Sequence, residues 1–388
     1  MLHQSDVVVM KTKISSCDDL HKVQRILLIC PQLTLPGGIA SYYNSLKEHF
    51  THDVNYFYVG SRKENERKYL KPVNLLRDML FLFSHLLRLA NNYDLVVLNP
   101  SFIKFCIIRE GLLLRISKLF SKKCIVFFRG WSSEFADVVS KYYFKLFFQT
   151  YNKADLFIVL STEFRDKLRD WGFKQPIFIE TTTVDDKLLN GYSLRQRLSR
   201  IQSGNRQINL LFLSRIEKEK GIIETIDVVK ILIESHPDIR LLVAGVGSYL
   251  SSAKKYSRDI GIDNNVNFLG WISGGEKSQI LAESDILILP SYREGMPNCV
   301  LESMAFGIPV VTRPIGGIKD FFVDGSFGFL TESTDPVILA SLVDNIIVNR
   351  SLWESMSIQS FNYAHEHFLS SNVVRRLENI YDKALLSH

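Results

Sequence analysis

Short apolar runs recur along this chain and alternate with longer stretches of helical period. Residues 24–30, 54–59, 94–99, 124–130 and 156–161 read as strands. Their Val/Ile/Leu content is continuous, not alternating, which marks strands covered on both faces. Residues 40–50, 73–90, 103–120, 141–154 and 162–171 read as helices between and after them. Strand and helix in strict alternation imply a parallel, doubly wound sheet. The pattern then breaks. Residues 191–207 are rich in Arg, Ser, Gln and Gly, and 188–207 is the expected linker. A second alternating series follows, with strands at 208–214, 240–244, 266–272, 285–290 and 309–312 and helices at 222–236, 351–368 and 372–386. The expectation is an α/β protein of two Rossmann-like domains, 23–187 and 208–371, facing each other across a cleft.

The densest chemistry lies at 290–317, PSYREGMPNCVLESMAFGIPVVTRPIGG. Pro297 suits the first turn of a helix and Gly307 its stop, so the unit reads strand, loop, helix, strand. Such a unit offers uncapped N–H groups and the positive end of a helix dipole to an anion. Glu294 on the loop and Glu302 on the helix flank that place, with seven residues between them. Carboxylates accept hydrogen bonds from neutral hydroxyls, and a nucleotide sugar carries hydroxyls on either side of a diphosphate. Two glutamates at this spacing alone are more often solvated surface. Two further loops have the same character. Gly37-Gly38 follows the first strand, and Arg215-Ile-Glu-Lys-Glu-Lys220-Gly221 places positive charge at a helix start. Such charge is unfavourable there unless an anion is bound.

Together these runs resemble the signature of the retaining, family-4-type glycosyltransferases with GT-B architecture. The match rests on the paired glutamates, Ala305-x-Gly-x-Pro-Val-Val311, Gly316-Gly317 and the run from Arg215 to Gly221, and it extends over roughly 24–386. The resemblance implies roles. Glu294 would contact the donor sugar and Glu302 the ribose, while Arg215 and Lys220 would hold the diphosphate as catalytic cations. Gly37, Gly38, Gly295, Met296, Pro297, Asn298, Gly316 and Gly317 would line the donor site, and the strand end at Ile272 would read the base through its backbone. The helix at 372–388 would cross back onto the N-terminal domain. Two departures stand out. Ser214 occupies a usual glycine position, and Arg129-Gly130-Trp131 stands where the family has His-Gly. Arginine brings a fixed charge and a bidentate fork in place of a neutral imidazole, so Arg129 is assigned to the cleft, on donor phosphate or acceptor.

The implied reaction moves a hexose-type sugar from a UDP- or GDP-sugar to an acceptor hydroxyl with retention, in polysaccharide or glycolipid synthesis. No cofactor or metal is expected, since the chain contains no Asp-x-Asp to hold a divalent cation under a diphosphate. Two rivals remain open: a nucleotide-sugar 2-epimerase on the same fold, and a nonenzymatic nucleotide-sugar or polysaccharide-binding protein.

Composition adds limits. A length of 388 residues suits two domains, each with its own core. A net charge of +6 fits anionic partners, here the nucleotide sugar and not nucleic acid. Residues 79–90 are the most apolar stretch, and His85 and Arg88 interrupt it. No segment reaches spanning length, and 1–22 reads as a loosely held leader without a signal-peptide core, so a cytoplasmic location is expected. The five cysteines are scattered and read as reduced thiols. Residues 104–145 interleave Lys104, Arg109, Arg115, Lys118, Lys122 and Lys123 with Phe105, Leu112 and Phe120, which suggests peripheral contact with an anionic membrane or, equally, a buried helix with a solvated edge.

Overall fold

The computed structural model describes residues 24–35, 37–59, 80, 84–85, 87–89, 93–203 and 207–386. The leader at 1–22, Cys17 and most of the helix expected over 73–90 lie outside them.

The N-terminal domain contains β1 (Arg25–Cys30), β2 (Asp53–Tyr58), β3 (Leu95–Leu98), β4 (Ser101–Phe102), β5 (Lys123–Phe127), β6 (Gly130–Trp131), β7 (Leu156–Val159) and β8 (Ile177–Ile179). Six of these form one parallel sheet in the order β2-β1-β3-β5-β7-β8. The pair β4 and β6 makes a short separate ribbon. The C-terminal domain contains β9 (Ile208–Leu213), β10 (Ile239–Ala244), β11 (Val266–Gly270), β12 (Ile286–Leu289), β13 (Val310–Thr312) and β14 (Gly328–Leu330). They form a second parallel sheet in the order β11-β10-β9-β12-β13-β14. Central strands are buried on both faces, as in Leu95–Leu98 and Ile286–Leu289, which accounts for their unbroken apolar runs.

Strand order decides where a ligand can go. In each sheet the order reverses once, between β1 and β3 and between β9 and β12, and loops leaving adjacent strands in opposite directions open a crevice there. The two sheets, their covering helices and the cleft between them constitute the GT-B arrangement.

The sequence reading lacks the helices Leu250–Asp259, Gly274–Glu283 and Pro336–Val348 and the strand β14, and three further stretches differ from it. The helix expected from 141 starts earlier: Ser132 caps Ser133–Val138, a π-helical turn spans Val139–Tyr143, and Phe144–Tyr151 completes it. Residues 177–179, read only as part of a connector, first add β8 to the sheet edge. The expected linker is not loose either. Its centre is the helix Leu194–Gln202, whose buried Arg197 donates to the carbonyls of Ser284 (2.7 Å) and Asp285 (2.8 Å). Arg/Ser/Gln composition reads as a linker when the partner carbonyls, nearly ninety positions away, are invisible.

The last helix, Ser370–Leu386, returns to the N-terminal domain. Its Glu378 carboxylate accepts from Thr51 N–H (2.6 Å), the Thr51 hydroxyl (2.9 Å) and His52 N–H (3.0 Å). Arg376 forks onto Glu180 with Nη2 at 2.6 Å and Nε at 3.1 Å. Val373, Val374, Leu377, Ile380 and Tyr381 form its buried side.

Candidate active site

The loops after β9 and β12 meet at the reversal point of the second sheet. After β9 the chain makes a tight turn, Lys218–Lys220, and then passes through Gly221 at φ 77°. A Cβ on Gly221 would lie 2.6 Å from Pro290 Cγ and 2.8 Å from its carbonyl oxygen, so only glycine lets this turn lie against the end of β12. Tyr292 N–H donates to the Glu219 carbonyl (2.8 Å) and fixes the two loops together. Lys220 is thereby carried to Glu294. Its ammonium donates to Glu294 Oε1 at 2.8 Å and to the Arg293 carbonyl at 3.1 Å, with both side chains only 10% exposed.

The helix Asn298–Ala305 begins directly after this pair. Pro297 stands at its N-cap with no side-chain cap, so first-turn N–H groups stay unclaimed by side chains. Gly307 closes the helix end at φ 64°. Glu302 is buried on this helix, and Lys277 of the helix Gly274–Glu283 donates to its Oε1 at 2.5 Å. Cys299 reports how close the two pairs are. Burial pushes its thiol far up, Glu294 and Glu302 push it further, and Lys220 and Lys277 act the other way. Each carboxylate is thus neutralised by its own lysine, as a buried charge requires. Arg215, just beyond β9, is exposed.

The remaining expected residues fall into two groups. Gly295, Met296, Pro297 and Asn298 lie on the same loop and helix start as Glu294, and Gly316-Gly317 turns directly beneath it. Gly317 N–H donates to the Gly295 carbonyl at 2.7 Å. A Cβ on Gly317 would lie 2.3 Å from Met296 Cε and 2.5 Å from the Leu160 carbonyl oxygen of the other domain. Both glycines are buried, so they brace the 294–296 loop and do not present open backbone. Ile272 is buried just beyond β11. Gly37 and Gly38 begin the helix Gly38–Leu46 at the reversal point of the first sheet, are exposed, and have open space around them.

Arg129 sits between β5 and β6, where its N–H donates to the Pro100 carbonyl at 2.9 Å. Its guanidinium carbon lies 3.7 Å from the Tyr42 ring centroid and 4.2 Å from that of Phe127. The side chain is 9% exposed, and Nε and Nη1 have no hydrogen-bond partner. No hydrogen bond or ion pair joins it to Glu294 or Lys220 among the described residues. A buried cation held by ring faces with two unpartnered guanidinium nitrogens is costly to keep without an anion.

Sequence reasoning did not find Lys277. Nothing local to Gly274-Gly275-Glu276-Lys277 ties it to a glutamate on another helix. It also left out the contacts that set the domains against each other. Asp320 accepts from Thr162 N–H at 2.7 Å and from the Thr162 hydroxyl, and Arg293 pairs with Glu134. Among the described residues, no cluster of three or more His, Cys, Asp or Glu is arranged as a metal site.

Comparison with known proteins fits this geometry. Residues 196–362 match the family model for glycosyl transferases group 1. A capsular polysaccharide biosynthesis glycosyltransferase, CapM of Staphylococcus aureus, is 26% identical over 197 residues, 51% of each chain. An N-acetyl-alpha-D-glucosaminyl L-malate synthase of Bacillus anthracis is 28% identical over 173 residues, 44% of each chain. The chain spans about half the length of the curated relatives it matches. Anabaena HepE, solved with UDP and glucose, superposes with a TM-score of 0.70 at 16% identity, covering 92% of this chain and 99% of that one. The fold is therefore shared along nearly the whole chain, while the family-model match lies in the C-terminal half. Through that half, the chain is similar to the glycosyl transferases group 1 family.

Proposed function

We propose that this protein transfers a sugar from a nucleoside diphosphate sugar to an acceptor hydroxyl during synthesis of a polysaccharide or glycolipid. The observation that carries this reading is the Lys220–Glu294 pair at the strand-order reversal, beside the uncapped start of the helix Asn298–Ala305. In glycosyl transfer the sugar–phosphate bond lengthens, the anomeric carbon gains oxocarbenium character and the diphosphate gains negative charge. Lys220, Arg215 and the helix N-terminus lie where that charge develops, and groups preorganised for a transition-state charge lower the barrier. They supply the positive charge that a divalent cation supplies elsewhere, so the reaction is read as metal-independent.

Glu294 has one carboxylate oxygen engaged by Lys220 and the other available to orient sugar hydroxyls. Glu302, similarly anchored by Lys277, orients the ribose. With no second carboxylate placed as a nucleophile, the departing phosphate oxygen takes the acceptor proton and the configuration is retained. Anabaena HepE's complexes with UDP and UDP-glucose favour a UDP-sugar over a GDP-sugar. CapM and a Salmonella typhi Vi polysaccharide biosynthesis protein favour a surface polysaccharide as the product.

The test is release of nucleoside diphosphate from a panel of UDP- and GDP-sugars, with and without acceptor glycans. Acceptor-dependent release is expected. Turnover of donor alone into an isomer would mark a 2-epimerase. Thermal stabilisation by nucleotide sugars without any turnover would mark a binding protein.

A further inference from the structure

The helix Lys104–Leu119 is apolar on two sides, and the fold covers only one. Ile107, Gly111, Leu113, Leu114 and Ser117 are buried against the sheet and its neighbours. At about 100° per residue, Lys104, Phe105, Ile108, Leu112, Arg115 and Leu119 fall within a single opposite sector. There Phe105 and Leu119 are each 82% exposed, Ile108 62% and Leu112 46%. The idea that this helix simply buries its apolar residues therefore holds for Leu113 and Leu114 and fails for these four.

The neighbouring helix extends the face. Thr150 of Phe144–Tyr151 accepts from Arg115 Nε at 3.1 Å, and Leu146, one turn before Thr150, is 63% exposed. Tyr142 and Tyr143 precede it, both exposed. Contiguous apolar surface of this kind on a soluble fold marks an interaction site.

Charge identifies the partner. Lys104, Arg115, Lys122, Lys141 and Lys145 form no ion pair among the described residues. The one acidic residue in 103–122, Glu110, is buried and paired with Arg109 at 2.8 Å. Protruding Phe and Leu with unpaired cations and, over 103–122, no exposed carboxylate suit an anionic bilayer, in which apolar side chains enter the acyl boundary and lysines meet headgroups; the exposed Glu134 and Asp137 lie before the Tyr142 end of the face. Tyr142 and Tyr143 add rings with polar tips, the side chains that settle at a membrane interface. No helix among the described residues is long and apolar enough to cross a membrane, so the contact is with one leaflet.

We propose that the exposed face of the helix Lys104–Leu119, continued by Tyr142, Tyr143 and Leu146, docks this protein on an anionic lipid surface. The helix starts two residues after β4, which pairs with β6 beside Arg129, so docking sets the N-terminal domain's side of the cleft towards the bilayer. An acceptor carried on a lipid would be delivered there. The inference goes beyond the proposed reaction and is read without turnover.

The experiment is flotation of the full chain with vesicles of phosphatidylcholine alone and of phosphatidylcholine with phosphatidylglycerol, at low and high salt. The expected result is binding only to the anionic vesicles, released by salt. Each basic side chain contributes roughly fivefold to partitioning, so Lys104→Glu with Lys122→Glu and Lys145→Glu should lower it by more than about 100-fold. Phe105→Ser with Leu119→Ser should abolish binding while leaving the thermal unfolding midpoint unchanged, since both side chains are exposed. Protein that stays unbound with anionic vesicles at low salt overturns the proposal, as do variants that float like the parent. So does a dimer in sedimentation that Phe105→Ser with Leu119→Ser dissociates while vesicle binding is absent, because the face would then be an interface between two copies.

Discussion

Glu294 and Glu302 stand eight positions apart in sequence, yet each is held by a lysine from a different element, and this separates what their replacement should do. Under the proposed reaction Lys220→Ala removes a cation that would meet the departing diphosphate, so turnover should fall by about 100–1,000-fold at saturating donor. An unchanged rate would take Lys220 out of the mechanism. Glu302→Gln should weaken nucleoside diphosphate binding in a thermal-shift titration, whereas Glu294→Gln should leave that binding nearly intact and depress transfer. Equal loss of diphosphate binding in both variants would refute the division. Arg129 behaves as a third case. With Nε and Nη1 unpaired and buried, Arg129→Met should cost no stability in urea unfolding yet lower the transfer rate, the signature of a residue kept for a ligand. A clear drop in stability with normal turnover would make it structural. At this scale the sequence showed which residue types stand on which loop. It did not show Lys277, because a lysine on one helix neutralising a glutamate on another leaves no local pattern.

Among the elements, legibility followed burial. Runs such as Ile286–Leu289 are covered on both faces, so their identity as strands was written in their composition, and Gly307 marked the end of its helix by conformation alone. The helix Leu194–Gln202 was missed because Arg197 and Arg200 hold it by reaching distant carbonyls, interactions without periodicity. The early start at Ser133 was missed because the π turn at Val139–Tyr143 shifts the helical register midway. One contact between elements titrates. His85, buried against Phe57 with ring centroids 5.1 Å apart and 3.4 Å from Ser117 Oγ, is held down to about 4 by burial, with Arg88 adding to it. The unfolded chain takes this proton first, so the stability is complete above about pH 6.5 and is lost as pH falls towards 4, by roughly 3 kcal/mol in all. Urea unfolding of the parent and of His85→Leu across that range checks it: the variant should lose less stability on acidification.

At the scale of the whole molecule, polar contacts between the domains among the described residues include Asp320 with Thr162 and Arg293 with Glu134. The Asp320 carboxylate caps the first turn of the helix Thr162–Asp170 in the opposite domain, and Leu160 backs onto Gly317. A carboxylate at a helix start is worth about 0.5–2 kcal/mol, enough to bias how the domains sit without locking them. Asp320→Ala should therefore leave both domains folded while raising the radius of gyration in small-angle scattering, with nucleotide restoring part of the compaction. No change in scattering would mean that packing around Leu160 and Gly317 sets the arrangement alone. The return of the helix Ser370–Leu386 to Thr51, His52 and Glu180 has a different consequence, one for biosynthesis. The C-terminal sheet is contiguous in the chain and can close as soon as β14 is made. The N-terminal sheet appears first but lacks its covering helix until residues 370–386 have been translated, tens of seconds later at about 5–20 residues per second. The half of the molecule synthesised first is thus the last to be completed, and for that interval the face that this helix covers stays open to aggregation.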